Sequence, residues 1–183
     1  MKKFFIFLDI DGVLNSYAYF SSKRYKERVA LMGRSNETEF DYIAISRLNR
    51  LISFIEQNGY RPVLVLSSSW KLDTTIDQIN SLLSSNGFQY DIEHYTPTVS
   101  LQQIIQWWED FSRDYEIVES IKELWIEDNY IIIDDNDFFK EERSQHFIET
   151  SYNKWLTVCD IEKAKQLFLY LTKQKGENKL GVK

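Results

Sequence analysis

Residues 4–15 read FFIFLDIDGVLN, an apolar run that ends at two aspartates two positions apart. Short apolar runs that do not alternate with polar residues indicate strands buried on both faces, as in a parallel sheet covered by helices. Because residues two apart on an extended chain face the same way, Asp9 and Asp11 can address one ligand while Ile10 points into the core. Two adjacent carboxylates repel each other unless a cation lies between them or one holds a proton. Gly12 then lets the chain turn away without a side chain that would crowd the ligand.

Two further apolar runs resemble the first, VLVL at 63–66 and YIII at 130–133, and each ends abruptly in polar residues. Hydrophobic spacing predicts helices and two short strands in the rest of the chain. The predicted helices cover 43–55, 74–84, 101–108, 115–125 and 160–172, and the predicted short strands cover 88–94 and 146–149. Strands that alternate with helices imply right-handed crossovers. We therefore predict an α/β fold of three layers, built on a doubly wound, mostly parallel sheet.

The length and composition indicate one domain, over residues 1–175. A chain of 183 residues with 43% hydrophobic and 15% aromatic content can bury one sizeable core, and its six Gly and two Pro argue against disorder. Residues 15–40 have no clean hydrophobic period, so we expect them to form an inserted flap after the first strand. Residues 176–183 are expected to be a flexible tail.

The formal charge of -6 gives no overall attraction to polyanions, so a nucleic-acid role needs a local basic patch. Residues 23–28 contain four basic side chains, which form either such a patch or a solvated polar loop. The single cysteine, Cys159, fits a reducing compartment. No apolar run reaches membrane-spanning length. We expect a soluble, cytoplasmic protein without a membrane partner.

Polar motifs follow the second and third apolar runs. Ser67 and Ser68 open a turn whose hydroxyl and N–H groups suit phosphate oxygens. Asp134 and Asp135 form an acidic cluster, which is costly unless a hard cation such as Mg²⁺ neutralises it. In open α/β sheets, ligands bind at the carboxyl ends of the strands. The three motifs are therefore expected to meet there.

These motifs resemble those of the haloacid dehalogenase-like (HAD) superfamily of phosphohydrolases. The resemblance rests on DIDGVL at 9–14, on Ser67 and on the acidic pair at 134–135. It is closest to the HAD domain of Swiss-army-knife RNA-repair proteins, on the strength of LSSSWK at 66–71 and WLT at 155–157. The similarity extends over nearly the whole chain.

The resemblance implies that Asp9 attacks phosphorus to give an aspartyl-phosphate, and that Asp11 protonates the leaving oxygen and then activates water. It also implies Mg²⁺ held by the Asp9 carboxylate, the Asp11 carbonyl and an acid of the pair Asp134 and Asp135, with Asp135 preferred. Ser67 would bind the transferring phosphoryl group. The implied substrate is a nucleotide or a nucleic-acid terminal phosphate; a small phosphorylated metabolite is the alternative.

The family's third motif, a Lys or Arg, does not appear at its expected place. Alignment on Trp107 puts Ser100 there. We predict that Lys71 supplies the missing charge, with Lys122 and Lys140 as rivals; otherwise the chain is a phosphate-binding module with weakened turnover. The predicted phosphate site thus comprises Gly12, Ser67, Ser68 and Lys71.

Overall fold

The apolar run that opens the chain is the central strand of a parallel sheet. The computed structural model describes residues 1–33, 35–98, 112–137 and 141–177. The strands are β1 (Lys2–Leu8), β2 (Tyr60–Leu66), β3 (Ile92–Tyr95), β4 (Tyr130–Asp134) and β5 (Phe147–Glu149). Their order is β3-β2-β1-β4-β5, and every pair within the described residues is parallel. The prediction of an α/β fold with a doubly wound parallel sheet is confirmed.

Helices cover both faces of this sheet. The helices of the described residues are α1 (Tyr17–Phe20), α2 (Lys23–Met32), α3 (Tyr42–Gln57), α4 (Ile76–Ser85), α5 (Ser112–Glu123), α6 (Glu141–Ser144) and α7 (Val158–Glu177). Successive side chains of β1 alternate between two cores: Ile6 and Leu8 pack with α3, α4 and α7, whereas Phe5 and Phe7 pack with Ile117 of α5. Because both faces of the strand are buried, its sequence is continuously apolar rather than alternating.

Helix α3 shows how the local sequence fixes an element. The Asp41 side chain accepts a hydrogen bond from the backbone N–H of Ile43 at 2.9 Å, which caps the helix start. Its buried residues recur at spacings of three and four, as one apolar face requires. They are Ala44, Ile45, Leu48, Leu51, Ile52 and Ile55. The helix ends at Asn58 and Gly59, where glycine adopts a φ of +83°.

Residues 15–40 are largely helical, although they were not predicted to be. They contain α1, α2 and a 3-10 helix at Asn36–Glu39. Helix α2 has no fully buried residue, and its half-buried positions include Arg24 and Arg28, so it has no continuous apolar stripe that the sequence would reveal. The segment is fastened by Tyr19, whose hydroxyl donates to the Thr38 carbonyl at 2.9 Å, and by Arg24, which pairs with Asp41 at 2.8 Å. Its function as a flap over the strand ends stays a prediction.

The basic residues of α2 form neither a loop nor a uniform patch. Arg24 is tied to Asp41, and Arg28 donates to the Phe40 carbonyl at 3.0 Å. Lys23 and Lys26 remain exposed. The interpretation of this stretch as a solvated loop was therefore wrong, and its use as a nucleic-acid patch would have to rest on these two lysines.

The remaining predicted elements differ mainly at their ends. Strand β3 covers Ile92–Tyr95 rather than 88–94, and α5 begins at Ser112 rather than at 115. The predicted helix at 101–108 and residues 178–183 of the predicted tail lie outside the described residues. None of the described helices combines the length and the apolarity that crossing a membrane requires.

Candidate active site

The predicted motifs meet at the carboxyl edge of the sheet. Asp9 follows β1 directly, Ser67 follows β2, and Asp134 is the last residue of β4. Sheet-like hydrogen bonds continue past the strand ends, because the Asp9 N–H donates to the Ile133 carbonyl at 3.0 Å and the Ser67 N–H donates to the Leu8 carbonyl at 2.8 Å. The parallel register therefore brings three segments that are far apart in sequence to one edge.

Three carboxylates form a cluster that could hold a cation. Asp9, Asp134 and Asp135 each offer one oxygen, and these oxygens lie within 4.8 Å of one another. Asp9 is 3% exposed and Asp134 is 1% exposed. Burial, and then the charge of Asp134, raises the pKa of Asp9 to about 7; burial likewise raises the pKa of Asp134 to about 6. The carboxylates are costly to ionise together unless a cation neutralises them. Mg²⁺ prefers oxygen ligands of this kind, so the cluster suits it.

Asn136 orients two of these carboxylates. Its N–H donates to Asp134 Oδ1 at 3.0 Å, and its Nδ2 donates to Asp135 Oδ1 at 3.0 Å. Asp134 Oδ2 accepts no hydrogen bond within the described part of the chain.

A cation that the sequence reading missed reaches into the cluster. Arg113, in the first turn of α5, places Nη1 3.2 Å from Asp9 Oδ1 and 3.5 Å from Asp134 Oδ2. Its charge lowers the pKa of both carboxyls, against the larger effect of burial. Alignment on Trp107 places the family's third-motif base at Ser100, which lies outside the described residues. The topology carries the missed signal, since the first turn of a crossover helix that leads into β4 lies at the carboxyl edge of the sheet.

Asp11 lies beside the cluster but is oriented separately. Its Oδ1 accepts a hydrogen bond from Asn15 Nδ2 at 2.8 Å, and its Oδ2 accepts one from Trp70 Nε1 at 3.2 Å. Among the described residues, the carboxylates grouped closely enough for a metal are those of Asp9, Asp134 and Asp135. A metal contact from Asp11 therefore stays a prediction for its carbonyl, and its carboxylate is available for proton transfer.

Gly12 is required by close packing against the acidic cluster. It adopts a φ of +76°, and a Cβ built there would lie 2.3 Å from Asp135 Oδ2. Its N–H donates to Asn15 Oδ1 at 3.2 Å, so the turn is closed by the side chain that also holds Asp11. A side chain at this position would displace the Asp135 carboxylate.

The serine turn presents two buried hydroxyls towards this edge. Ser67 and Ser68 are each 1% exposed, and neither hydroxyl makes a hydrogen bond of normal geometry to the described residues. The Ser68 hydroxyl nevertheless lies near enough to Asp9 to lower the pKa of that carboxyl, as a smaller effect than burial. Buried hydroxyls are normally paired, so unpaired ones at a strand end indicate a site for ligand oxygens.

The lysines proposed for the missing charge have other partners. Lys71 Nζ donates to Glu116 Oε2 and to Thr96 Oγ1, both at 2.7 Å, and to the Pro97 carbonyl at 3.2 Å. Lys122 is 66% exposed in its side chain and pairs with Glu119 on its own helix. Lys140 lies outside the described residues. A phosphate contact from Lys71 stays a prediction, and the observed geometry favours Arg113 for that role.

Comparison with known proteins agrees with this geometry. A family model described as "HAD domain in Swiss Army Knife RNA repair proteins" matches residues 5–161. That span contains Asp9, the serine turn, Arg113 and the acidic pair at 134–135. No curated protein and no solved structure matches the chain. Because the family model covers most of the sequence, the chain belongs to the HAD domains of Swiss Army Knife RNA repair proteins.

Proposed function

We propose that the protein is a magnesium-dependent phosphomonoester hydrolase that works through an aspartyl-phosphate at Asp9. Membership of the HAD family indicates phosphohydrolase activity. The observation that carries the proposal is the buried Asp9 carboxylate, which lies at the carboxyl edge of the sheet beside Asp134, Asp135 and the Arg113 guanidinium. A carboxylate in this setting can act as a nucleophile whose product is stabilised by nearby charges.

The proposed reaction has two displacements. In the first, an Asp9 oxygen bonds to phosphorus as the bond from phosphorus to the leaving oxygen breaks, and Asp11 gives its proton to that oxygen. In the second, Asp11 takes a proton from water, and the resulting hydroxide displaces Asp9 from phosphorus. Inorganic phosphate is released, and the Asp9 carboxylate and the protonated Asp11 are regenerated. The hydrogen bonds from Asn15 and Trp70 hold Asp11 in place for both proton transfers.

The phosphoryl oxygens would be bound by groups on three different segments. Ser67 and Ser68 offer unpaired hydroxyls, and Arg113 offers a planar cation that suits phosphate. We assign to Arg113 the role that the family gives to its third-motif base. With Arg113 in this role, the site has a basic group even though Ser100 stands at the aligned position.

The acidic cluster fits a resident magnesium ion. Asp9, Asp134 and Asp135 would hold it together with the Asp11 carbonyl, and its charge would neutralise both the carboxylates and the transferring phosphoryl group. The fit rests on the hard-oxygen character of the donors and on the burial of two of them.

Replacement of the nucleophile is the most direct test. Asp9→Asn is expected to reduce Mg²⁺-dependent release of phosphate from an aryl phosphate by at least about a thousandfold, the scale expected for a lost nucleophile. The fold should survive, because loss of one charge relieves repulsion in a crowded site. Asp91→Asn, at an exposed carboxylate, is the matched control and should keep full activity. Unchanged hydrolysis by Asp9→Asn would exclude the mechanism, and a wild-type protein that binds phosphate without turnover would identify a binding module.

The substrate is proposed to be a nucleotide or a nucleic-acid terminal phosphate. The support is the family model, whose description concerns RNA repair. Comparison of kcat/KM for a nucleoside monophosphate, a 5′-phosphorylated oligonucleotide and a sugar phosphate tests this proposal. A clear preference for the sugar phosphate would favour a small-metabolite phosphatase.

A further inference from the structure

Lys71 belongs to a polar network that joins the serine turn to α5. Its three donated hydrogen bonds, to Glu116, Thr96 and the Pro97 carbonyl, match the three protons of an ammonium group. The Lys71 and Glu116 side chains are 5% and 13% exposed. A buried ion pair of this kind links its two elements, because separating it would leave a buried charge without its partner. Here the elements are the turn after β2 and the helix α5.

Glu116 lies three residues after Arg113 on α5. Side chains at this spacing are neighbours on a helix surface and readily form an ion pair. Arg113 therefore has a competing carboxylate on its own helix, besides Asp9 and Asp134. In the structure, Glu116 forms an ion pair with Lys71, while Arg113 Nη1 lies 3.2 Å from Asp9 Oδ1.

Lys71 and Arg113 are also close enough to repel each other. Burial is the main cause that lowers the pKa of Lys71, and the charge of Arg113 adds to this effect. Lys71 at Glu116 thus disfavours the approach of Arg113 to the same carboxylate. Neutralisation of Glu116 and repulsion by Lys71 both direct the Arg113 guanidinium towards the acidic cluster.

We propose that Lys71 is a positioning residue: by neutralising Glu116, it prevents Arg113 from pairing within its own helix and keeps the guanidinium at Asp9 and Asp134. The inference rests on the proposed phosphatase function and gives Lys71 a role without any contact to the substrate.

Kinetics of single and double variants test this role with an aryl phosphate and Mg²⁺. Lys71→Met leaves Glu116 unpaired, so Glu116 should capture Arg113 and lower kcat/KM by about tenfold, the scale of one lost charge-assisted contact. Glu116→Gln alone removes the competitor and should stay within about threefold of wild type. The double variant Lys71→Met/Glu116→Gln should recover to within about threefold, because no carboxylate then competes for Arg113.

Lys122→Met is the matched control. Like Lys71, Lys122 pairs with a glutamate of α5, in this case Glu119. The Lys122 pair is exposed, however, and lies near the C-terminus of the helix. The Lys122→Met substitution should therefore leave kcat and KM unchanged. A purely structural role for Lys71 predicts no such recovery, since the double variant would then be no better than Lys71→Met.

The outcomes separate this inference from the proposed function. If wild type shows no Asp9-dependent hydrolysis, the function fails; the same four proteins are then compared for binding of inorganic phosphate with Mg²⁺, where the same order of variants is expected. If hydrolysis depends on Asp9 but Lys71→Met matches wild type, or the double variant shows no recovery, the positioning role is overturned. Should Lys71→Met not fold, the double variant decides, and a folded double variant with a tenfold loss overturns the proposal.

Discussion

Gly12 lies so close to Asp135 that it has no room for a side chain, which makes this glycine part of the proposed metal site. Gly12→Ala would force a Cβ to within 2.3 Å of Asp135 Oδ2 and strain a backbone at φ +76°. We expect a loss of kcat/KM of at least about tenfold and a weaker dependence on Mg²⁺, because the carboxylate must move. Magnesium titrations of activity measure both effects.

Gly59 provides the control for the backbone strain. It has a φ of +83°, and a Cβ there would meet nothing within 4 Å. Gly59→Ala should cost about 1 to 2 kcal/mol of unfolding free energy and leave the magnesium dependence unchanged. Equal effects of the two substitutions on activity would argue against a role for the Asp135 contact.

The raised pKa values of Asp9 and Asp134 predict how stability depends on pH in metal-free protein. The folded state holds these protons more tightly than the unfolded chain, whose carboxyls have a pKa near 3.8. Their contribution to the unfolding free energy is therefore fully present below about pH 4 and is lost as pH rises towards about 7. Asp134→Asn removes one of the repelling charges while an oxygen remains to accept from Asn136.

We expect Asp134→Asn to raise the melting temperature at pH 8 and to leave it nearly unchanged at pH 4. The expected gain is on the order of 1 kcal/mol, which is a few degrees for a chain of this size. Thermal unfolding in a chelator at the two pH values measures it. The explanation fails if the shift is equal at both values, because a change in packing would not depend on pH.

At the scale of elements, a buried ion pair anchors α5, the helix that carries Arg113. Asp114 pairs with Arg143, which lies in α6 ahead of β5, and their side chains are 3% and 11% exposed. Asp114→Ala would leave a buried guanidinium without this partner and should lower the unfolding free energy by about 3 kcal/mol. Urea unfolding measures the loss.

Glu119→Ala, on the same helix, is the comparison. Its partner Lys122 is exposed, so the expected cost is below about 1 kcal/mol. A similar cost for both substitutions would mean that the Asp114 pair contributes no more than a surface pair. A larger cost for Asp114→Ala would show that its buried pair with Arg143 anchors α5.

Strands and site were predictable from the sequence to different degrees. β1, β2 and β4 could be identified because strands buried on both faces are continuously apolar, and their polar ends then mark the carboxyl edge. Asp9, Ser67 and Asp134 follow from that pattern alone. Helix α2 could not be identified, because its half-buried face includes two arginines, Arg24 and Arg28, and no fully buried apolar residue.

Long-range ion pairs were the part that the sequence could not supply. Lys71 stands four residues after Ser67, which suggested a phosphate ligand, but its carboxylate partner is Glu116, 45 positions away. Arg113 precedes the apolar spacing of α5 that the prediction used, so that spacing gave no reason to select it. Charge type predicts that a lysine will be paired, but only the fold determines with which carboxylate.

At the scale of the whole molecule, net charge restricts how a nucleic-acid end can be bound. The chain carries a formal charge of -6, and two of the basic side chains in α2 are tied to internal partners, namely Arg24 and Arg28. An extended backbone track is therefore not expected, and affinity should come from the terminal phosphate itself. The reacting phosphate, rather than the length of the polymer, should determine recognition.

If the terminal phosphate determines recognition, kcat/KM for a 5′-phosphorylated ten-nucleotide strand should be within about threefold of that for the corresponding nucleoside monophosphate. We also expect a loss of only about threefold between 50 and 200 mM salt, as is the case when a single-strand binder neutralises about one phosphate. Replacement of the exposed Lys23 and Lys26 by Gln should change neither value.

A protein that contacts the backbone through several phosphates would instead lose orders of magnitude in kcat/KM between 50 and 200 mM salt and would favour the longer strand. Steady-state kinetics on the two substrates at both salt concentrations distinguish these cases, and a steep salt dependence that the two lysine substitutions abolish would establish α2 as a nucleic-acid surface.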